Sequence, residues 1–234
     1  MKKNNNYVVA TIKSWNVDMF NELSDDLSGN WHLIDNPKEL TLDRLKKINP
    51  RYVFFPHWSW IISEKIHQSF ECIIFHMADL PYGRGGSPLQ NLIVRGHTDT
   101  KISALKCSSE LDAGPVYLKL PLSLYGTAEE IFLRASRQIF QMIDVIAGNE
   151  LEPEKQVGDI VEFSRRKGEE GRIDRLDSLE KVFDYIRMLD AEGYPPAYTE
   201  SGGFRFEFSR VSLKHDRLLA DVVITQNKSG ASNG

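Results

Sequence analysis

The chain has 234 residues, 41% hydrophobic and 26% charged, the make-up of a soluble protein with room for one sizeable core and a smaller appendage. No apolar run approaches the ~20 residues a bilayer span needs, and the apolar run after the N-terminal lysines is too short for a secretory leader, so a cytoplasmic protein with no membrane partner is expected. A formal net charge of −4 speaks against a protein that grips long nucleic acid through a basic field.

Residues 7–12 (YVVATI) are apolar and β-branched and predict a first strand. Val17, Phe20, Leu23 and Leu27 recur at helical spacing and predict a helix over 16–27. A short strand over 31–35 follows, then a helix over 41–48 with Leu42, Leu45 and Ile48 on one face and Thr41 as its N-cap. RYVFFP, residues 51–56, predicts a strand buried on both faces of a parallel sheet. A short helix over 63–68 and a fourth strand over 71–77 come next. A loop rich in glycine and proline leads to a helix over 88–95, with Pro88 suited to a first turn. Strands over 101–107 and 115–120 are close enough in sequence to be antiparallel neighbours. The helix over 127–147 carries a capping box, Thr127 with Glu130, and Gly148 ends it.

Alternating strands and helices predict an α/β fold with a Rossmann-like, doubly wound, mostly parallel sheet. Ligands of such sheets bind beyond the carboxyl ends of the strands. After Gly148 the character changes: 150–171 is charged and weakly periodic, 178–190 reads as an amphipathic helix, and 204–213 with 218–224 reads as a β-hairpin. The expected division is a core over 1–150, a small α+β subdomain over 151–225 and a disordered tail over 226–234. Residues 1–6 are expected to be disordered too.

The candidate chemistry gathers between Cys72 and Tyr117. His76 ends an apolar run just before the glycine loop, where a histidine is either a satisfied, backbone-bonded residue or a catalytic base. Asp112, in Leu-Asp-Ala-Gly-Pro, is either ordinary turn chemistry or the carboxylate that orients that imidazole. Gly83, Gly85 and Gly86 lack the context of a phosphate loop and read as allowing close backbone approach to a ligand, with Arg84 among them facing an anion or solvent. Trp58 and Trp60 pack as core or rim, or wall a flat heterocycle. Arg165, Arg166 and Lys167 are a solvated charge run or a phosphate contact. His57 and His97 have no constellation and read as surface residues. The two cysteines, Cys72 and Cys107, read as small hydrophobes, and without Cys-x-x-Cys or His-Glu-x-x-His no metal site is expected.

The stretch from His76 to Pro115 resembles the formyltransferase family that uses N10-formyltetrahydrofolate. His76, Leu80 and Pro81 match the family's Asn-x-His-x-Ser-Leu-Leu-Pro stretch, Gly83 to Pro88 its glycine loop, and Leu111, Asp112, Gly114 and Pro115 its Leu-Asp-x-Gly-Pro stretch. The resemblance covers roughly 7–148 and implies N10-formyltetrahydrofolate as co-substrate. It places Trp58, Trp60, Ile61, Ile62, Arg84, Gly85 and Leu111 around the folate. The family's asparagine falls on Ile74, which has no polar side-chain group. The formyl oxygen must then be met by His76 as an imidazolium, a backbone N–H or another side chain. The implied mechanism has His76 as general base and Asp112 holding its tautomer.

RRKGEEGRID and DAEGYPPAY resemble members that formylate sugar nucleotides of pseudaminic-acid-type pathways. On that basis the expected acceptor is the amine of a UDP-linked 4-amino-4,6-dideoxy sugar, with Arg165, Arg166 or Lys167 on its diphosphate and Tyr194 and Tyr198 on its base. Methionyl-tRNA is disfavoured by the negative charge and the short stretch after Gly148, so no nucleic-acid partner is expected; a homodimer is admitted. The alternatives are an aminoacyl group on a carrier protein and a non-catalytic folate- or nucleotide-binding module.

Overall fold

A computed structural model of the chain describes residues 5–227. The first half lays down β1 (Asn6–Ala10), α1 (Ser14–Leu23), β2 (Asn30–Ile34), α2 (Leu42–Ile48), β3 (Tyr52–Phe55), α3 (Glu64–Ser69) and β4 (Cys72–His76). Then come β5 (Tyr82–Gly85), α4 (Pro88–Val94), β6 (Asp99–Lys106), β7 (Val116–Ser123) and the long α5 (Ala128–Gly148). The remainder holds β8 (Val161–Phe163), α6 (Leu179–Arg187), β9 (Ala197–Ser201), β10 (Phe204–Leu213) and β11 (Leu218–Gln226).

The main sheet has the order β2-β1-β3-β4-β6-β7. β1 pairs in parallel with β2 and β3, and β3 with β4. β6 runs antiparallel to both β4 and β7. The α/β expectation therefore holds, with a mostly parallel sheet. Its strands are apolar on both faces because both faces are covered. Tyr7 and Val9 join Phe54, Ile73 and the buried stripe of α5, including Phe132, Ile139 and Phe140. Val8, Ala10, Val53 and Phe55 join Ile34, Leu45 and Ile66 on the other face. The helix ends are as legible as expected: the Thr41 side chain accepts from the Arg44 N–H, and Thr127 and Glu130 form a reciprocal capping box.

Three strands were not foreseen: β5, β8 and β9. β5 pairs in parallel with β8, with Gly85 opposite Phe163, so the glycine stretch is partly a strand. β9 completes a second sheet, β11-β10-β9. The expected disorder is corrected at four residues: Asn6 opens β1, Gln226 closes β11, the Asn5 carbonyl accepts from the Asn30 N–H, and the Asn227 N–H donates to the Gly203 carbonyl; residues 1–4 and 228–234 lie outside the described ones. The hydrophobic cluster of the main sheet runs on into Phe163, Ile186, Met188, Leu189 and Ala197. Gln90 of α4 ties the two parts by donating to the Met188 carbonyl at 3.1 Å.

Strand order reverses at β1, which has β2 on one side and β3 on the other. The carboxyl ends of β1, β3 and β4 therefore open onto one crevice, the usual ligand position in such sheets. Lys13, His57 and His76 stand at or just beyond those ends.

Candidate active site

His76 closes β4 and Asp112 lies in the turn between β6 and β7, and the fold brings them together. His76 Nδ1 is 3.5 Å from Asp112 Oδ2, and each residue is only 8% exposed. The other ring nitrogen, Nε2, lies 2.6 Å from the Gly83 carbonyl oxygen. A carbonyl only accepts, so Nε2 carries a proton and donates it. The neutral ring is then the Nε2–H tautomer, with Nδ1 free to take a proton opposite the carboxylate. Gly83 rather than Asp112 thus sets the tautomer, which refines the expected division of labour. The Gly85 N–H donates to the same carboxylate oxygen, at 2.9 Å. Asp112 adopts φ 51°, a left-handed conformation uncommon outside glycine. Strain of this kind persists where the surroundings enforce it.

The glycines have a role in chain packing that was not foreseen. A Cβ on Gly85 would lie 2.4 Å from the Phe163 carbonyl oxygen, and one on Gly86 would lie 2.6 Å from the Arg165 Cβ. One on Gly114 would come within 1.8 Å of the Lys106 carbonyl oxygen. They permit close approach of the chain to itself, chiefly β5 to β8, and Gly85, Gly86 and Gly114 also line the cavity described next.

A cavity of about 750 Å³ surrounds the pair. Trp58, Trp60, Ile61, Ile62 and Leu111 line it as an apolar wall. Trp60 is 48%, Ile61 96% and Leu111 68% exposed, apolar surface that a flat ligand would cover. Gly85 and Ile74 line it too, and Ile74 brings only hydrocarbon to the place of a polar side chain. Cys107 also lines the cavity, but burial with Asp112 nearby pushes its thiol up to about 11, which keeps it a neutral hydrophobe rather than a nucleophile.

Arg165 and Tyr194 line the same cavity, together with Lys13 and His57, which the sequence reading missed. Trp15, Phe132 and Tyr194 stack in series at 5.3 Å between centroids. Lys13 Nζ sits 5.2 Å from the Trp15 ring and 5.1 Å from the Tyr194 ring. Burial pulls the Lys13 ammonium below its ordinary range, and Glu192 opposes this. Burial also pushes the Tyr194 phenol up to about 12, so it remains a donor. A lysine directly after the first apolar strand was the available signal for Lys13. His57 is not a surface residue: Asn16 donates to its Nδ1 at 3.1 Å, and its Nε2 faces Met77 Sδ at 3.1 Å. His97 contacts the Tyr82 hydroxyl at 3.1 Å.

Four expected ligand contacts lie elsewhere. The Arg84 guanidinium turns to Gln156, at 3.1 and 2.9 Å, and to Glu110. Arg166 pairs with Glu170 and covers the Tyr185 ring. Lys167 is exposed, its N–H donating to Glu170. Tyr198 is buried in the second sheet beneath Arg205. For Arg84, Arg166 and Tyr198 a nearer carboxylate, carbonyl, amide or ring supplies the partner that a distant ligand was expected to supply.

Residues 168–225 match the family described as "Methionyl-tRNA formyltransferase, C-terminal domain". The chain is 49% identical to a solved structure of methionyl-tRNA formyltransferase from Clostridium thermocellum, with a TM-score of 0.92, covering 95% of this chain and 99% of that one. It is 25% identical over 154 residues to methionyl-tRNA formyltransferase of Thermodesulfovibrio yellowstonii, covering 62% of this chain and 50% of that protein. The chain thus spans about half the length of the curated relatives it matches. HypX from Aquifex aeolicus in complex with tetrahydrofolic acid shares the fold, at 17% identity and a TM-score of 0.72 over 88% of this chain and 37% of that one. The Clostridium and Thermodesulfovibrio relatives overturn the expected UDP-linked amino sugar, and with it the exclusion of a nucleic-acid acceptor. Net charge averages over the whole surface, whereas a phosphate-bearing acceptor meets the individual cations of the cavity, Lys13 and Arg165 among them.

Proposed function

The chain belongs to the formyltransferase family, and on that premise we propose that it moves the formyl group of N10-formyltetrahydrofolate to the α-amine of an aminoacyl acceptor, methionyl-tRNA. The observation that carries the reading is the His76–Asp112 pair, 3.5 Å apart, inside a cavity lined both by an apolar wall and by Lys13 and Arg165. Trp58, Trp60, Ile61, Ile62 and Leu111 cover the folate ring. Lys13, Arg165 and Tyr194 meet the acceptor.

An amine that is acylated must give up a proton. His76 takes it at Nδ1, because Nε2 is committed to the Gly83 carbonyl. The imidazolium so formed faces Asp112, whose carboxylate is fixed by the Gly85 N–H. Its positive charge stands in the cavity where Ile74 offers none, opposite the negative charge that develops on the formyl oxygen. As the carbon–nitrogen bond to the acceptor forms and that to the folate breaks, the proton on Nδ1 passes to the departing nitrogen. No covalent bond to the protein forms.

Tetrahydrofolate release with N10-formyltetrahydrofolate and methionyl-tRNA tests this directly. His76→Asn and Asp112→Asn should each lower kcat by about 10²- to 10⁴-fold, the usual worth of general acid–base catalysis, while the melting transition persists. A His76→Asn enzyme within a few-fold of wild type refutes the assignment. Transfer to a carrier-bound aminoacyl group but not to methionyl-tRNA relocates the acceptor to the carrier.

A further inference from the structure

We propose that Gln156 is a positioning residue for formyl transfer, holding Asp112 against His76 by tying the Asp112 turn to β5. The residue sits in the connector between α5 and β8, a stretch with no sequence pattern to recommend it. Its Nε2 donates to the Asp112 carbonyl at 2.7 Å and to the Gly114 carbonyl at 2.9 Å. Its Oε1 accepts from Arg84 Nε at 3.1 Å and Nη2 at 2.9 Å. Both amide protons and both oxygen lone pairs are therefore used. The orientation of the amide is fixed by chemistry, since carbonyls only accept and a guanidinium only donates.

The partners are what make this more than packing. Asp112 is the residue with the unfavourable backbone, φ 51°, and Gln156 grips its own carbonyl. Arg84 lies between Gly83, whose carbonyl accepts the hydrogen bond from His76 Nε2, and Gly85, whose N–H donates to the Asp112 carboxylate. One side chain thus spans the two backbone segments that set the separation of the catalytic pair. Gln156 does not line the cavity, so it acts through Asp112 and not on substrate. The connector is anchored on either side, by Glu154 paired with Val116 and by the Val161 N–H donating to Pro81.

The role rests on the formyl-transfer reading, so the test has one arm that needs turnover and one that does not. Gln156→Met keeps the length and removes every polar contact; Gln156→Glu keeps an acceptor for Arg84 and removes both donors. Each should lower kcat at least tenfold, with KM for the formyl donor within twofold of wild type and melting within a few degrees. In an Asp112→Asn background, Gln156→Met should cost nothing further, because both changes act through one carboxylate. Independently of any acceptor, the NMR resonances of the His76 ring in Gln156→Met should leave their wild-type positions and approach those of Asp112→Asn, because the ring loses its carboxylate neighbour. A kcat within twofold of wild type, a loss fully additive with Asp112→Asn, or unchanged His76 ring resonances overturns the proposal. If wild type fails to formylate methionyl-tRNA, the acceptor assignment falls and the ring resonances still decide for or against Gln156.

Discussion

Asn16 is fully buried and is the hub of the crevice. Its amide donates to Thr11 at 3.2 Å and to His57 Nδ1 at 3.1 Å, while its carbonyl accepts from Ser136 at 2.7 Å. A His57 ring that accepts at Nδ1 is neutral, and burial with Lys13 nearby lowers its pKa to about 4. The unfolded chain takes up that proton near pH 6.5, the folded chain only near 4. Stability is therefore fully present above pH 6.5 and is lost as pH falls toward 4, by up to about 3 kcal/mol. Urea titrations at pH 7.5 and 4.5 should show this loss, and His57→Gln should flatten it; an equal slope in the variant refutes the account. Nothing at residue 57 announces burial in sequence, because a histidine flanked by proline and tryptophan reads equally well as surface. His76 and Asp112 were legible because each closes a recognisable run. Gln156 was not, because its four partners come from segments far away in the chain.

Among the elements, the pairing of β5 with β8 has the clearest consequence. Gly85 combines φ 104° with a Cβ position 2.4 Å from the Phe163 carbonyl oxygen. Gly85→Ala should separate the strands, withdraw the Gly85 N–H from Asp112 and lower kcat by more than tenfold. Gly148→Ala, where a Cβ meets nothing within 4 Å, should leave turnover unchanged and raise stability by up to about 1 kcal/mol. Steady-state kinetics and thermal melts on the two variants separate these outcomes. The strands of the main sheet were legible from apolar runs, and α5 from its capping box, because those signals are local. β5 and β8 were not, since a glycine-rich stretch and a three-residue strand gain strand character only from each other.

At the scale of the whole molecule, Phe163, Ile186, Met188, Leu189 and Ala197 share one hydrophobic cluster with Phe132 and Leu89. A chain ending at Gly148 should therefore show no cooperative melting transition by circular dichroism, because it would expose that face. A sharp transition near that of the full chain would show that residues 1–148 fold alone. Net charge misled the reading of the acceptor for a related reason. A value of −4 averages over the surface, whereas Lys13 and Arg165 line one cavity, both beside Tyr194, and no sum over composition reveals that placement.

The path of the connector also constrains how such enzymes exchange parts. After α5 the backbone visits Val116, the Asp112 turn, Pro81 and β5 before it builds β9, β10 and β11. A chimera that imports a relative's C-terminal sheet must take its crossover beyond Phe163. A splice at Gly148, where composition changes, would import a foreign brace along with the foreign sheet.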